Sequence, residues 1–497
     1  MPSQSRHNRP LVVLVHPVTG FWDMYRSAPS LPLNLLHAAS MLMPDYDVAL
    51  VDMRVHRRWR ARLAELLKRD PVLVGLTTMI GPAIGAALDA ARFVKGRSAV
   101  PVALGGVHAT LARAAALAEP DVDYVVCGEG ERGLRALADA LQGETAPGRV
   151  PGVASHAAPD PDPALPAHID INAAPDIPYA LIEPERYMQV YDGVPGYLSM
   201  ETSRGCPRAC AYCFHSTPDY AGWRAQSADV VYERARELKR RFGVRGLYFV
   251  DDNFFIDRDR ALAVAHAMRR LGLHWQVQGV DVPTLRAMDH ATLRTLARSG
   301  LARITIGVES GSDRVRRMIH KKPEAAAVLD TIRRMRRHPF IVYGSFIVNF
   351  PGETAQDVRR TMKLITDLCR ANPRFRHSPV YQFVPFPGTE ISARVSEQGF
   401  AWPQRLRDWN RVSFETGYGF DNAGLGEDFY RALYFVTLFS DSKYREYLAA
   451  PGLRLLSRVY RPVATARLRR GAFRHMPEMH AFRLVSRVYE ELRAWQQ

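Results

Sequence analysis

Two series of short β-rich runs, each run followed by a helix-length pattern, constrain this chain more than any other feature. In the first series, strand-like apolar runs at 11–15, 48–51, 72–76, 102–104 and 124–126 alternate with helical periodicity, for example at 33–43, 59–68 and 84–94. Strands separated by helices of this length run parallel, because the crossover helix carries the chain back to the same end of the sheet. The spacing predicts an α/β chain that opens with a Rossmann-like, doubly wound domain over residues 1–145. The second series places strands at 197–202, 246–250, 275–278, 303–307, 341–348 and 380–384. Helices follow at 228–241, 258–271, 291–298, 324–336 and 355–369. Six such units predict a partial (β/α)6 barrel over 196–395. Between the two series, residues 146–195 contain ten prolines and little periodicity, which reads as a linker. Residues 396–497 are rich in aromatics and arginine. Patterns at 426–439 and 481–495 read as a helical C-terminal region.

A chain of 497 residues is too long for a single core, in keeping with this division. The net charge is +16, from arginines spread along the sequence, with the densest stretch between Arg454 and Arg474. No aromatic-interleaved basic signature accompanies that stretch, so a nucleic-acid partner is not expected. Five cysteines, three of them clustered, do not make a disulfide framework and point to a reducing compartment, the cytoplasm. The N-terminal apolar run is too short for a signal peptide, and no run of 18 uncharged apolar residues forms a transmembrane segment.

The chemistry is concentrated at residues 202–213, Thr-Ser-Arg-Gly-Cys-Pro-Arg-Ala-Cys-Ala-Tyr-Cys. Cys206, Cys210 and Cys213 form CxxxCxxC. Three thiolates can hold three irons of a 4Fe-4S cluster and leave the fourth open to a ligand. With His215 they would also supply the four ligands of a zinc site. The motif falls after the first strand of the second series, at the end where barrels place active sites. Glu309 follows the fourth strand of that series and Asp251 and Asp252 the second. Taken alone, each also suits a helix start or an N-cap. Cys127 and Cys369 read as small buried hydrophobes.

The cysteine motif with Tyr212, set among these strand ends, resembles the radical S-adenosylmethionine enzymes. The resemblance implies that the open iron chelates the methionine moiety of S-adenosylmethionine and that reductive cleavage gives a 5′-deoxyadenosyl radical. It further implies that Asp251 and Asp252 belong to the stretch receiving the methionine amine. Glu309 and Ser310 lie where ribose hydroxyls are held. Gly344 opens the adenine-contacting segment that runs to Glu353, with Tyr212 beside the adenine. The loops at 72–82, 101–110 and 123–131 resemble the cobalamin-binding domain fused to many of these enzymes. By that resemblance Thr77, Thr78, Gly105 and Gly106 line the cleft for the cobalamin tail, Met79 lies near the corrin, and Val107, Gly128 and Glu129 complete the set. The DxHxxG motif of proteins that ligate cobalt through histidine is absent after the first strand, which reads His16-Pro17-Val18-Thr19-Gly20. His16, His37 and His108 therefore read as structural. Gln278 stands at the third strand end where a basic residue is expected.

The implied cofactors are a 4Fe-4S cluster, S-adenosylmethionine and cobalamin. The implied activity is C-methylation of an unactivated carbon in a small-molecule substrate, driven by a low-potential donor such as flavodoxin or ferredoxin. A radical oxidative cyclase or rearrangement enzyme, similar to the anaerobic tetrapyrrole cyclases, is the alternative. An RNA methylthiotransferase is excluded, since its second cluster needs three cysteines in the N-terminal domain, where only Cys127 lies. A cobalamin sensor with an inactive barrel is the non-enzymatic reading, and the complete cysteine motif opposes it.

Overall fold

The computed structural model describes residues 9–20, 28–143, 146–159, 168–220, 222–441, 451–473 and 476–479. The helix expected at 481–495 lies outside the described residues.

The first sheet contains β1 (Leu11–His16), β2 (Asp47–Asp52), β3 (Leu73–Thr77), β4 (Val102–Gly105), β5 (Tyr124–Val126) and β6 (Val153–Ser155). Their spatial order is β2-β1-β3-β4-β5-β6, with the first five parallel and β6 antiparallel. Every residue of β1 is buried, as expected of a parallel strand covered by helices on both faces. The chain leaves β1 to one side for β2 and to the other for β3. At such a reversal the connections diverge and open a crevice beyond the strand ends.

The second sheet has the order β15-β14-β13-β12-β11-β8-β7, so successive strands are neighbours throughout. It comprises β7 (Gln189–Tyr191), β8 (Val194–Met200), β11 (Gly246–Phe249), β12 (His274–Val280), β13 (Leu301–Glu309), β14 (Ile341–Val348) and β15 (Phe375–Gln382). All pairs from β8 to β15 are parallel, and the sheet curls into a half-barrel. Its outer face carries Leu247, Phe249, Trp275, Val277, Ile304, Ile306 and Val342, all fully buried beneath the helices. The inner face is polar: Tyr248 pairs in register with Gln276, Gln276 with Arg303, and Thr305 with Tyr343. Period-two alternation thus separates a dry helix-packing face from a lumen.

The covering helices start where a side chain can serve the orphan N–H groups of the first turn. Ser227 caps Ala228–Phe242, Asp257 caps Arg258–Leu271 and Asp289 caps His290–Arg298. Thr354 and Asp357 form a reciprocal capping box at Ala355–Ala371. Among the described residues, no helix is long and apolar enough to cross a membrane.

Three regions depart from the sequence reading. The proline-rich stretch is not only a linker, since β6 closes the edge of the first sheet and β7 makes a hairpin with β8. Strands of three residues carry too little alternation to be recognised. The last barrel strand begins at Phe375, five residues before the apolar run. Its Pro379 is tolerated because β15 is an edge strand. The helix Glu427–Ser440 and the residue after it cover that edge: Val380 N–H donates to Thr437 Oγ1 (2.8 Å) and His377 N–H to Asp441 Oδ2 (2.8 Å). The C-terminal region is helical only from Glu427. Before that, the short 3-10 helix Leu406–Arg411 reaches back to the first domain. There Asn410 Oδ1 accepts from Gly85 N–H (3.2 Å), and Arg407 pairs with the buried Glu119.

The turn after β14 is fixed by Glu353, whose carboxyl accepts from the backbone N–H groups of Asn349 and Phe350. Asn349 sits at φ 68° and its side chain holds the 420–422 segment. Burial raises the Glu353 carboxyl from its ordinary 4.5 to about 8, despite those two bonds. The folded chain therefore binds this proton where the unfolded chain has released it. Stability from this group is full below pH 4.5 and declines as pH rises towards 8. Glu353→Gln keeps an acceptor but cannot ionise. In urea titrations, the stability of Glu353→Gln relative to the wild type should rise steadily between pH 5 and pH 8.

Candidate active site

After β8 the chain forms a two-stranded antiparallel ribbon, β9 (Ser203–Cys206) with β10 (Gly222–Ala225). Gly205 sits there at φ 79°, and a Cβ on it would overlap the Gly222 carbonyl oxygen, so only glycine permits the approach. Cys206 ends the ribbon, and Cys210 and Cys213 follow in a loop tied down on both sides. Ala211 N–H donates to Ile319 O (3.2 Å) and Ile391 N–H to Ala211 O (3.0 Å). Asn253 Nδ2 donates to Cys206 Sγ (3.6 Å) and to Asp281 Oδ2 (2.9 Å), and Arg208 Nε donates to the same oxygen (2.9 Å). All three thiols are free. Burial raises Cys210 and Cys213, the latter to about 12, with the Lys321 ammonium acting against it. Iron ligation has to displace those protons.

The fourth ligand of the zinc alternative, His215, is engaged with Asp252. His215 Nε2 lies 2.8 Å from Asp252 Oδ1, and among the described residues no group of three or more His, Cys, Asp or Glu could hold a metal ion. Three thiols without a fourth protein ligand suit a cluster in which each binds a different iron and one iron stays open.

The structure redistributes several expected roles. Asp251 accepts from Thr202 N–H (2.7 Å), Thr202 Oγ1 (2.6 Å) and Ser203 Oγ (2.7 Å). It anchors the start of the ribbon. Burial pushes its carboxyl up to about 6 against those three donors. Asp252 Oδ2 accepts from Gly205 N–H (2.8 Å) and braces the same ribbon. Ser310 is fully buried, beside Thr361 Oγ1 (3.2 Å) on the helix Ala355–Ala371, and so turns away from the lumen. Gly344 lies on the outer face, where a Cβ would strike the Phe375 ring (2.7 Å); its role is packing rather than ligand approach.

Glu309 does reach the cysteine loop. It sits at φ 64°, buried, with Lys321 Nζ 3.2 Å from its Oε1 and the Tyr212 hydroxyl beside it. Burial alone would lower the Lys321 ammonium, but the Glu309 carboxylate outweighs it and keeps the lysine charged. The Tyr212 ring meets Phe350 edge-on at 5.6 Å. Lys321 carries no motif in the sequence. Only its position after the Glu309 strand and a short helix hints at a role.

Facing the ribbon is a cavity of about 380 Å³ at the switch point of the first sheet. Thr77, Thr78, Met79, Gly105, Gly106, Val107, Gly128 and Glu129 all line it, and so does His16. His108 does not; it is buried edge-on against Trp409 at 4.5 Å, and burial drives its imidazole down to about 3. His37 is likewise buried and lowered by burial. The opposite wall comes from the second sheet's side, with Gly205, Phe214, His215, Tyr220 and Asp252. The lining is mainly apolar and glycine, with Met79 unusually exposed for a methionine (42%) and the buried Nδ1 of His215 without a hydrogen-bond partner among the described residues. This largely apolar surface, with polar groups set among glycines, fits a large macrocycle held by backbone and methyl contacts together with a few hydrogen bonds.

One side chain joins the two walls. Arg204, two residues before the cysteine motif, contacts Glu131 Oε1 (2.7 Å) and Glu129 Oε2 (3.2 Å) of the first domain and Glu201 of its own. Arg224 of β10 pairs with Glu129 as well. Glu129 thus serves as an interdomain clamp at the edge of the cavity that it lines. Burial alone would lower Arg204, yet the three carboxylates raise it.

Residues 200–365 match the family model of the radical SAM superfamily, and residues 27–138 match that of the B12 binding domain. The chain belongs to the cobalamin-binding radical S-adenosylmethionine enzymes. It is 28% identical over 365 residues to an uncharacterised methyltransferase of Pyrococcus horikoshii, covering 72% of this chain and 77% of that protein. It is 26% identical to the anaerobic magnesium-protoporphyrin IX monomethyl ester cyclase of Rubrivivax gelatinosus, over 74% of this chain and 66% of the relative. The fold is shared with the cobalamin-dependent S-adenosylmethionine radical enzyme OxsB (TM-score 0.69, 16% identity, 93% of this chain and 72% of that one). A 4Fe-4S cluster, S-adenosylmethionine and cobalamin are the cofactors of this family, and the thiols and the cavity offer matching sites.

Removing one partner from a buried charge cluster strands the others. Arg204→Met should lower unfolding stability by about 3–5 kcal/mol in denaturant titrations, because it leaves Glu129, Glu131 and Glu201 short of countercharge. Arg204→Lys should restore only part of it, since an ammonium cannot fork to three carboxylates.

Proposed function

We propose that this chain is a cobalamin-dependent radical S-adenosylmethionine methyltransferase acting on an unactivated carbon of a small-molecule substrate. One observation carries the reading: a single cavity is walled on one side by the switch-point loops of the first domain and on the other by residues that directly follow Cys213. When bound, the cluster and S-adenosylmethionine supply a carbon radical, and cobalamin supplies a methyl group. The chain contributes placement. Cys206, Cys210 and Cys213 fix the cluster in a loop braced by Asp251, Asp252 and Asn253. Glu309 and Lys321 present an acceptor and a cation beside Cys210, complementary to the hydroxyl, ammonium and carboxylate groups of S-adenosylmethionine. Tyr248 and Gln278, hydrogen-bonded to each other at 2.9 Å on the lumen face, offer polar contacts for a substrate. The expected basic residue at position 278 is thereby replaced by a neutral pair, which suits a substrate without a negative charge at that point. Closing the space between the two walls excludes water from radical chemistry.

The test is anaerobic reconstitution with iron, sulfide and cobalamin, then S-adenosylmethionine and a chemical reductant. S-adenosylhomocysteine and 5′-deoxyadenosine should both form. Cys210→Ala should reduce deoxyadenosine to background, measured by mass spectrometry. Deoxyadenosine without any S-adenosylhomocysteine would favour the cyclase reading that the Rubrivivax relative represents.

A further inference from the structure

The segment that follows the helix Asp313–Met318 has two faces. Its inner face is bonded to the cysteine loop: Ile319 O accepts from Ala211 N–H (3.2 Å), His320 Nδ1 lies 3.3 Å from Ala209 O, and Lys321 pairs with Glu309. Its outer face lines a wide surface depression of about 1060 Å³, together with the helix Val282–Ala287. The depression is strongly basic. Arg286, Arg317 and Lys322 are exposed, and none of them forms an ion pair among the described residues. Arg316 and Lys321 stand behind them, buried or half-buried. The acids nearby are few: Asp313 is engaged by the Ala325 N–H (2.7 Å), and Glu324 lies at the rim. His320 is partnered by Glu390 at 3.4 Å, and Arg208 adds a half-exposed guanidinium beside Asp281.

An uncompensated cationic surface one hydrogen bond removed from the cysteine loop is where an acidic redox partner would best approach. We propose that the depression bounded by Arg286, Arg317 and Lys322 is the docking site for a small acidic one-electron carrier protein, a flavodoxin or ferredoxin in chemical class. This rests on the radical reading above and adds the place where the electron enters. The carrier is oxidised by one electron and the cluster held by Cys206, Cys210 and Cys213 is reduced by one, with no proton or atom transferred. Cation–carboxylate attraction steers the encounter, so the coupling is salt-sensitive. The bonds from Ile319 and His320 to Ala211 and Ala209 place the docked partner against the loop that carries the thiols. Arg286, Arg317 and Lys322 touch neither the thiols nor the cavity, so their charges can be changed without altering the catalytic residues.

The test compares wild type with Arg286→Glu/Arg317→Glu/Lys322→Glu, and with Arg57→Glu/Arg58→Glu on the exposed surface of the first domain as a control. Deoxyadenosine formation is driven either by dithionite or by reduced flavodoxin, and flavodoxin affinity is measured separately on the protein before cluster loading. The triple variant should keep its dithionite-driven rate. Its flavodoxin-driven rate and its affinity should fall about tenfold or more, with a flattened salt dependence, as lost electrostatic steering requires. The control pair should change neither. Equal loss with both reductants, or an undiminished flavodoxin rate and affinity, would overturn the proposal. Normal flavodoxin coupling with lost binding to a tRNA pool would assign the surface to nucleic acid and overturn it too. Absence of dithionite-driven cleavage in the wild type would instead refute the radical reading itself.

Discussion

The buried charge cluster around Arg204 is the interaction on which the functional geometry depends. A guanidinium just before the cysteine motif is gripped by Glu129 and Glu131 from the first domain and by Glu201 from its own strand end. Each partner is costly to bury alone and tolerable only together. The consequence is positional: the loop that carries the thiols cannot shift against the switch-point loops without breaking charge pairs. Arg407 with Glu119, and Asn410 with Gly85, repeat the principle from the C-terminal side, so the first domain is held at two separate places.

Within the second sheet the same economy of carboxylates recurs. Asp251 fixes the backbone at Thr202, Asp252 that at Gly205, and Asp281 both caps a helix and receives Asn253 and Arg208. The polar stretch after β11 is therefore chiefly scaffolding for the cysteine loop, with Asn253 as its one direct contact to a thiol. A donor to a cysteine sulfur is one of the means by which a protein sets a cluster's potential. Glu309 and Lys321 are the charged pair left beside the thiols, on the side facing the basic depression.

Most of the architecture was legible in the sequence because parallel strands buried on both faces and amphipathic helices leave strong periodic signals. Strands β1 to β5 and β8, β11, β12, β13 and β14 lie within a few residues of their expected places. What escaped notice was short or relational. The strands β6 and β7 have three residues each and owe their existence to a neighbouring edge. The early start of β15 is hidden by polar residues whose N–H groups are served by a helix some 60 positions later. At the site, the cysteines and the glycine-rich loops announce themselves by spacing. Glu129 and Asp251 were visible as acids at strand ends, but whether a carboxylate meets a cofactor or an N–H group depends on long-range partners. Gly344 and Ser310 belong to recognisable segments, yet the strand's two-residue alternation and the turn after β13 point them into the packing. Lys321 shows the converse, a residue in no motif that the fold delivers to Glu309.

The most direct measurement of the central claim is the magnetic interaction between the two cofactors in one protein. The chain would be reconstituted with cluster and cobalamin, reduced so that both are paramagnetic, and examined by electron paramagnetic resonance. The shared cavity predicts a cobalt signal broadened by the cluster, and a sharp cobalt signal in Cys210→Ala, where the cluster is lost but the cavity remains. Two fully loaded but magnetically independent centres in the wild type would contradict the arrangement, and with it the account of one cavity serving both.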